Sequence, residues 1–548
     1  MSLLEPRSVR ILLLVAILAV YMPLVGGAFV WDDHLLIVEN TLTESLSNIP
    51  AMFMTDLWST TPLPDNGAGY YRPLMLVDLA ITRLIADFSP HAHHLHNLVW
   101  HGVAVLLLMN LLGHLLKDSL AAVMGAAVFA LHPVQLEVVG FVSARNDPMA
   151  VSWLLLALLL LSTKAPSRTA LVAGAVACFA AMLSKESVVF GTLLLAFASR
   201  ARWGGWGTRG AHIAVLVGFA GALSCRLAAG VAWPDQADPE QLAIVGGPAL
   251  AFYLEKLIWP LDVAPVIHLA WSPALPWLAV ALAVVLLVAL AIAGGPLAQA
   301  GLGFAFLGLL PAWVAVAHVG AVVDRYLYLP MVGIAWAAGT VARRPIGRKC
   351  VLVAVSGLTF LSIRQVPVWE SDATLWQACI ERAPSGYAKG ALARWLEDEG
   401  LNDDAAFWYR EAVIQEPRPF EHSCFNITRI HLKRGDAEAA IMNGLEALEM
   451  GCEPTPELIA PLALAHGLAG QWEEAHRRAS SVNQDPTGKA QLARISASTA
   501  LGDVGPLRKA LSSATPSVRE QIRAQVLSVL QHGGADPAAI TAVTDGTL

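Results

Sequence analysis

The chain has 548 residues, of which 56% are hydrophobic and only 14% are charged. Soluble proteins carry about 25% charged residues, so this composition is typical of a membrane protein. The net charge of −7 is modest and no basic tract stands out, which argues against nucleic acid as a partner. Charged residues become more frequent after about Pro367, so the sequence predicts two domains, at 1–366 and 367–548.

Long apolar runs fill the first domain. A helix that crosses a bilayer needs about 20 apolar residues, and the first run follows the basic residues Arg7 and Arg10. Because many runs follow it, we interpret it as an uncleaved first helix and not as a secretory signal. The runs predict about eleven crossings, at 11–30, 95–116, 119–133, 149–163, 169–184, 187–199, 211–230, 277–294, 300–318, 327–342 and 350–366.

The orientation depends on how the segment 243–260 is interpreted. Glu255 and Lys256 lie in its middle, and a charge at the bilayer centre is costly, so we expect an interfacial or re-entrant helix. Loops rich in Lys and Arg stay on the cytoplasmic side. The most basic loop holds Arg343, Arg344, Arg348 and Lys349. With the N-terminus inside, this loop is cytoplasmic only if 243–260 does not cross the membrane. The chain then has eleven crossings, and the second domain lies outside, in the periplasm of a cell with an inner membrane.

Ionisable residues gather at the predicted outer ends of the helices. Asp32 and Asp33 follow the first span directly. The others are Arg72, Glu137, Arg145, Asp147, Lys185, Glu186, Asp324 and Arg325. Such groups in a membrane protein mark functional sites by default. The alternatives are charged side chains that snorkel to water and, for the Asp pair alone, a solvated loop or helix cap.

Carboxylates beside Arg and Lys at a bilayer surface suit one kind of chemistry, the transfer of a group from a lipid-linked phosphate donor to a hydroxyl. A carboxylate base takes the proton of the acceptor hydroxyl. The departing lipid phosphate gains negative charge, which Arg or Lys stabilises. In an adjacent Asp pair, each charge raises the pKa of the other carboxyl.

An acidic pair after the first membrane helix is the usual mark of the GT-C class of membrane glycosyltransferases, which use polyprenyl-phosphate-linked sugars. Seven segments in order resemble the transmembrane and tetratricopeptide-repeat-containing O-mannosyltransferases and their bacterial relatives. They are FVWDDHLLIVEN, YYRPL, HLHNLVWH, HPVQLEVVGFVSARND, LSKES, DRYLYLP and VWESDATLW. The resemblance implies an all-α fold and inverting transfer of mannose or another hexose to a protein hydroxyl on the extracytoplasmic face.

The same resemblance implies roles for single residues. Asp32 or Asp33 is the candidate base. The candidates for binding the donor phosphate are Arg72, Arg145, Lys185 and Arg325. The candidates for orienting these groups or contacting the acceptor are His96, Glu137, Asp147, Glu186 and Asp324.

Five histidines, His91, His93, His94, His96 and His101, raise the question of a metal site. No Cys or acidic residue completes a tetrahedral set at standard spacing. We therefore favour a polar helix start, with His96 and His101 matching the family pattern. Some enzymes of this class need a divalent cation such as Mg²⁺ or Mn²⁺, and the sequence leaves that requirement open.

The second domain contains a repeat. Gly400, Gly435 and Gly470 are 35 residues apart, and Ala405, Ala440 and Ala475 follow each of them by five residues. This period predicts tetratricopeptide units, three of them clear and a fourth, with Leu507 at the alanine position, degenerate or capping. Such an α-solenoid forms a concave groove for an extended peptide, here the protein acceptor. The alternative is a structural cap or a dimer contact.

Two other classes of function stay open besides an enzyme. One is a membrane-anchored repeat scaffold without catalysis, and the other is a transporter or lipid flippase, which would place ionisable groups at the bilayer midplane in two related halves. For an enzyme, a glycolipid acceptor is the alternative to a protein. Cys379, Cys424 and Cys452 could include one disulfide, whose pairing the sequence does not fix.

Overall fold

The computed structural model describes residues 6–61, 69–163, 165–190, 208–232, 239–258, 260–261, 267–268, 277–319, 321–414, 421–482 and 487–544. The chain divides into two compact units, Met1–Ala383 and Pro384–Leu548.

Unit 1 is built from helices, which satisfy their main-chain polar groups internally as a bilayer requires. Its first eight are α1 (Pro6–Val25), α2 (Ile49–Met52), α3 (Pro73–Ala86), α4 (Pro90–Leu116), α5 (Ser119–Ala130), α6 (Leu136–Gly140), α7 (Asn146–Leu161) and α8 (Arg168–Ser184). The others are α9 (Arg209–Ala229), α10 (Pro239–Ile258), α11 (Trp277–Gly294), α12 (Pro296–Val319), α13 (Tyr328–Ala342), α14 (Pro345–Gln365) and α15 (Asp372–Arg382). Single helical turns include His34–Val38, Val142–Arg145, Glu186–Val188, Asp324–Leu327 and Val366–Trp369.

Six stretches of these helices are long and apolar enough to cross a membrane. They are Ser8–Val25, Pro90–Leu116, Val142–Leu161, Arg209–Ala229, Pro296–Ala317 and Pro345–Trp369. A seventh arises if the bent pair Ser119–Ala130 and Pro133–Gly140 is one span. The chain is therefore a multi-pass helical membrane protein. Eleven crossings stay a prediction, and most of the predicted span 187–199 lies outside the described residues.

Small residues allow the membrane helices to approach closely. A Cβ added to Gly333 of α13 would lie 2.2 Å from the carbonyl oxygen of Gly301 in α12. A Cβ on Gly125 of α5 would lie 2.5 Å from the carbonyl oxygen of Ala335 in α13. These contacts leave no room for a side chain, and they fix the helices on whose ends the polar residues lie.

One small element departs from the predicted all-α fold. In the described residues, strands β1 (Ile267–His268) and β2 (Ala321–Val322) pair antiparallel. The pair joins the segment before α11 to the turn that carries Asp324 and Arg325.

The division between the units lies later than the composition predicts. Residues that follow 366 belong to unit 1, where Trp369 is fully buried. The carbonyl of Glu370 accepts a hydrogen bond from the N–H of Ala28 at 2.9 Å. The segment therefore packs against the end of α1, and its polar residues reach the membrane unit in spite of their composition.

Unit 2 consists of helical hairpins, five in its described residues. They are α16 (Gly386–Asp398) with α17 (Asn402–Val413), α18 (Glu421–Lys433) with α19 (Ala437–Glu449), α20 (Pro456–Leu468) with α21 (Trp472–Ser481), α22 (Lys489–Ala500) with α23 (Gly505–Ser513), and α24 (Pro516–His532) with α25 (Pro537–Thr544). Ala405, Ala440, Ala475 and Leu507 are all fully buried on the second helices. That the unit is a tetratricopeptide solenoid stays a prediction.

The same turn joins the helices of each hairpin. Its glycines have φ between +63° and +90°, a conformation that L side chains rarely adopt. They are Gly400, Gly435, Gly470, Gly502 and Gly534. In the second hairpin the N–H of Asp436 bonds to the carbonyl of His431 at 3.0 Å. This bond and the φ > 0 glycine form a Schellman turn, which gives the spaced glycines their physical reason.

The structure also resolves the cysteine pairing. Cys424 and Cys452 form a disulfide within unit 2. Cys379 is buried in unit 1 and is not disulfide-bonded in the described part of the chain.

Candidate functional site

The two aspartates after α1 have different environments. Asp33 is fully buried. Its carboxylate accepts hydrogen bonds from the N–H groups of Val30 and Val142, each at 3.3 Å, and from the N–H and hydroxyl of Ser143 at 2.7 and 2.6 Å. Burial raises the pKa of Asp33 to about 6 although these donors oppose the rise. Asp33 thus ties residues 30–34, which we call the acidic turn, to the start of the Val142–Arg145 turn.

Asp32 is the less buried of the two aspartates in the acidic turn. It is partly exposed. Burial raises its pKa to about 7, the Arg325 guanidinium opposes this, and the charges of Asp33 and Asp372 add to it. A pKa of about 7 suits a general base that works near neutral pH.

Trp31 holds the acidic turn in an unusual conformation. Its φ of +55° is in the left-handed region, which costs on the order of 1–3 kcal/mol for a residue with a side chain. Its indole stacks on Phe141, with ring centroids 5.0 Å apart, and meets the edge of Trp376 at 5.7 Å. Its N–H donates to Asp372 at 2.8 Å. The surroundings thus stabilise a backbone shape that the sequence alone disfavours.

Arg325 faces the acidic turn from the segment before α13. Its guanidinium lies 5.1 Å from the centre of the Trp31 ring. Its N–H bonds to the fully buried carboxylate of Glu137 at 2.9 Å, and its side chain forms a close ion pair with the same carboxylate. Glu137 therefore fixes the position of Arg325 beside Asp32.

Lys185 follows the end of α8 and pairs with Asp147 at the start of α7. Its ammonium lies 2.6 and 2.7 Å from the two carboxylate oxygens and 5.6 Å from the Tyr326 ring centre. Burial lowers the pKa of Lys185; Asp147 raises it, and the nearby charges of Arg72 and Arg325 lower it further. These effects of Arg72 and Arg325 on Lys185 indicate that the three cations lie close to one another.

Arg72 completes this set from the start of α3. Its Nε and Nη2 atoms bond to the two oxygens of Glu186 at 3.3 and 3.2 Å, and its guanidinium lies 4.6 Å from the Tyr70 ring centre. We call Arg72, Lys185 and Arg325 the cation group. Each is held by one carboxylate, and each keeps at least one N–H donor without a hydrogen-bond partner among the described residues.

Arg145 is not part of the cation group. Its side chain is 0% exposed, against 13% for Arg72 and 19% for Arg325. Its guanidinium donates to Asn97 at 2.6 Å, Asp78 at 3.0 Å, Thr82 at 2.8 Å and the carbonyl of His93 at 2.8 Å. Those donors are engaged inside the protein, so we leave Arg145 out of the site proposed below.

His96 belongs to a different network, and Asp324 is a buried carboxylate that precedes Arg325 in the chain. His96 Nδ1 is 2.7 Å from the Thr82 hydroxyl, so it belongs to the buried network around Arg145. Asp324 is 1% exposed, and neither carboxylate oxygen has a hydrogen-bond partner in the described residues. Burial raises the pKa of Asp324, and Lys256 and Arg382 oppose the rise.

The remaining histidines bond to main-chain carbonyls. His91 contacts Val25 at 2.8 Å and His94 contacts Ala28 at 3.0 Å. His101 contacts the carbonyl of Ala130 at 3.2 Å and also lies 2.9 Å from the Tyr328 hydroxyl. Within the described part of the chain, no three His, Cys, Asp or Glu side chains are placed to hold a metal ion. These histidines join α4 to its neighbours.

Sequence reasoning missed three residues of this region. Asp372 contacts the acidic turn from α15, Tyr326 lies between the cations, and Asp78 is the buried counter-ion of Arg145. Asp372 belongs to the segment VWESDATLW, so its signal was present. The composition boundary at 366 assigns it to the second predicted domain, whereas it lies in unit 1 of the structure.

Several curated proteins match parts of this chain. Protein O-mannosyl-transferase Tmtc2 of Drosophila melanogaster is 34% identical over 129 residues, which are 23% of this chain and 14% of that protein. Protein O-mannosyl-transferase Tmtc1 of the same organism is 29% identical over 177 residues, 32% of this chain and 20% of that protein. Human TMTC3, also named a protein O-mannosyl-transferase, is 27% identical over 131 residues, 24% of this chain and 14% of that protein.

These matches confirm the resemblance to the transmembrane and tetratricopeptide-repeat-containing O-mannosyltransferase family. The matched part spans only 14% to 20% of the length of these three relatives. No family model matches the chain, and no solved structure matches it significantly.

Proposed function

We propose that this chain is a membrane glycosyltransferase of the GT-C class that transfers a hexose, mannose by analogy with the relatives, from a polyprenyl-phosphate donor to a hydroxyl of a protein. The observation that carries the proposal is a partly exposed Asp32 of raised pKa beside a group of three cations with spare donors. The names of the matched relatives support the reaction class.

The reaction assigns one role to Asp32. Its carboxylate takes the proton of the acceptor hydroxyl while the oxygen attacks the anomeric carbon of the sugar. The bond from that carbon to the phosphate oxygen breaks, and its electron pair stays on the polyprenyl phosphate. The attack from the face opposite to the phosphate inverts the anomeric centre. Asp33 does not compete for this role because its carboxylate already accepts four hydrogen bonds.

The cation group binds the donor phosphate in this proposal. The leaving phosphate gains negative charge, and donors already in position stabilise that charge most effectively. Glu137, Asp147 and Glu186 hold the three cations in place and offset their positive charge. We infer no metal ion for this step, because the cations supply the positive charge.

The topology proposed for this reaction places the acidic turn, the cation group and unit 2 on the extracytoplasmic side, with about eleven crossings. The Cys424–Cys452 disulfide supports this placement of unit 2, since disulfides persist in oxidising compartments. The hairpins of unit 2 would then bind the acceptor protein.

The test compares intact masses of envelope proteins and glycolipids from cells that express the wild-type chain, Asp32→Asn or Glu39→Gln. Glu39 is an exposed carboxylate close to the acidic turn and serves as the matched control. We expect a hexose increment on particular proteins in wild-type and Glu39→Gln cells. In Asp32→Asn cells its rate of formation falls by about 10²–10⁴-fold, the contribution typical of a general base.

Three results would contradict parts of this proposal. If the wild-type chain adds no sugar to any protein or lipid, the proposed glycosyltransferase activity is contradicted and a scaffold is favoured. A hexose found only on lipid replaces the protein acceptor by a glycolipid. Full activity of Asp32→Asn removes Asp32 as the base.

A further inference from the structure

The acidic turn is held by a residue that neither the sequence pattern nor the proposed reaction assigns. Asp372 lies in the first turn of α15 and is 7% exposed. Its Oδ1 accepts the N–H of Trp31 at 2.8 Å, and its Oδ2 lies 2.8 Å from Nε2 of His34. The two contacts are at Trp31 and His34, which flank the aspartate pair.

Asp372 is itself held firmly. The indole N–H of Trp376, one helical turn later, donates to Oδ1 at 3.1 Å. Ser371 and Thr374 form a capping box that fixes the start of α15. The carboxylate thus lies on a rigid helix end and not on a mobile loop.

Two carboxylates on opposite sides therefore determine where Asp32 lies. Asp33 ties the acidic turn to Val142 and Ser143, and Asp372 ties it to α15. The second tie bonds the main-chain N–H of Trp31, whose φ of +55° needs support from its surroundings. Without it, Trp31 could relax to a common conformation and turn Asp32 away.

We propose that Asp372 is a positioning residue for Asp32, which holds the acidic turn in its left-handed shape and so aims the base at the acceptor. The catalytic part of this inference rests on the proposed function. The support that Asp372 gives to the shape of the acidic turn does not depend on that function. The proposed site then includes a residue of α15, the helix between the last membrane helix and unit 2.

Charge gives Asp372 a second effect that a purely structural contact would not have. The charged groups that act on Asp32 are Arg325, held by Glu137, and the carboxylates Asp33 and Asp372, the latter paired with His34. Asp372 raises the proton affinity of Asp32. An uncharged side chain of the same shape therefore lowers the pKa of the base and moves the acid limb of the pH–rate profile to lower pH.

The first measurement is hydrogen exchange of the peptide that covers residues 28–38, in the purified full-length chain. The variants are Asp372→Ala, Asp372→Asn and, as a matched control, Glu370→Gln, whose exposed side chain lies two residues away. We expect exchange in this peptide to accelerate at least tenfold in Asp372→Ala and to change little in Glu370→Gln. If this peptide exchanges at the wild-type rate in Asp372→Ala, the proposal is overturned, whatever the activity of the variant.

The second measurement is the initial rate of polyprenyl phosphate release from polyprenyl-phosphate mannose, with an acceptor protein identified from wild-type cells. We expect kcat of Asp372→Ala to fall roughly tenfold to a hundredfold with the donor KM nearly unchanged, as for a misaligned catalytic group. Asp372→Asn should recover part of kcat and shift the acid limb to lower pH. An unshifted limb in Asp372→Asn contradicts the electrostatic part of the inference.

The two measurements separate the inference from the function on which it rests. Faster exchange in Asp372→Ala together with an inactive wild-type chain would contradict the glycosyltransferase and retain the structural role. If the wild-type chain is active and Asp372→Ala has unchanged exchange and unchanged kcat, the proposed enzyme function stands. The positioning role of Asp372 is then contradicted.

Discussion

The membrane unit holds two sets of basic side chains that look alike in the sequence and differ in the structure. Arg145 lies in a buried network with Asp78, Asn97 and Thr82. In the cation group, Arg72 and Arg325 are partly accessible and Lys185 is buried beside them. Each set contains cation–carboxylate pairs, and each has a basic residue in a segment that resembles the O-mannosyltransferase family. The sequence segments alone therefore do not separate the two sets.

Two features separate Arg145 from the arginines of the cation group, the exposure of the side chain and the number of hydrogen-bond donors left over. Four donated bonds engage the Arg145 guanidinium inside the protein. Each cation of the cation group is paired with one carboxylate and keeps at least one N–H donor that can bind a phosphate. A basic residue whose donors are used is expected to support folding, and one with spare donors at an accessible site is expected to bind a ligand.

The largest effect expected from this difference is on stability. Arg145→Met leaves the Asp78 carboxylate buried without its partner, which costs about 3–5 kcal/mol. We expect a large loss of thermal stability of the purified chain in detergent, and a smaller loss in the double variant Arg145→Met, Asp78→Leu, which removes both charges. An Arg145→Met protein that keeps its stability and loses only activity would contradict the structural role of Arg145.

A change in the cation group should show the opposite behaviour. Arg72→Gln removes a phosphate contact, and we expect transfer to fall about 10²-fold. Stability should change by less than about 1 kcal/mol, since Glu186 is one-third exposed and water can solvate it. Arg72→Lys keeps the charge but not the paired geometry and should recover part of the rate. Equal loss of stability in Arg72→Gln and Arg145→Met would show that the two sets do not differ.

The helices of this protein could be predicted from sequence because apolar length and glycine spacing are local signals. Ten of the eleven predicted spans overlap described helices, and the glycines spaced by 35 residues lie in equivalent turns. The number of crossings could not be settled in this way. Helices such as α5 and α13 are short, and length alone does not tell a span from a buried helix.

The site was predicted in its residue types but not in its arrangement. Asp32 and Asp33 are adjacent in sequence, and only the fold shows that Val142 and Ser143 engage one of them. Asp372 is 340 residues from Asp32, beyond the composition boundary, so no local pattern joins the two. Burial and long-range hydrogen bonds decide such roles, and both depend on how distant segments pack.

The smallest effect that tests the comparison is at Thr82. Its hydroxyl accepts from Arg145 at 2.8 Å and contacts His96 at 2.7 Å. Thr82→Val keeps the shape and leaves one donor of Arg145 without its partner, so we expect about 1–3 kcal/mol of destabilisation and an unchanged donor KM. Thermal unfolding and donor kinetics on the same preparation measure both. A raised KM with normal stability would show that the network around Arg145 reaches the donor, and the boundary between the two sets would then lie elsewhere.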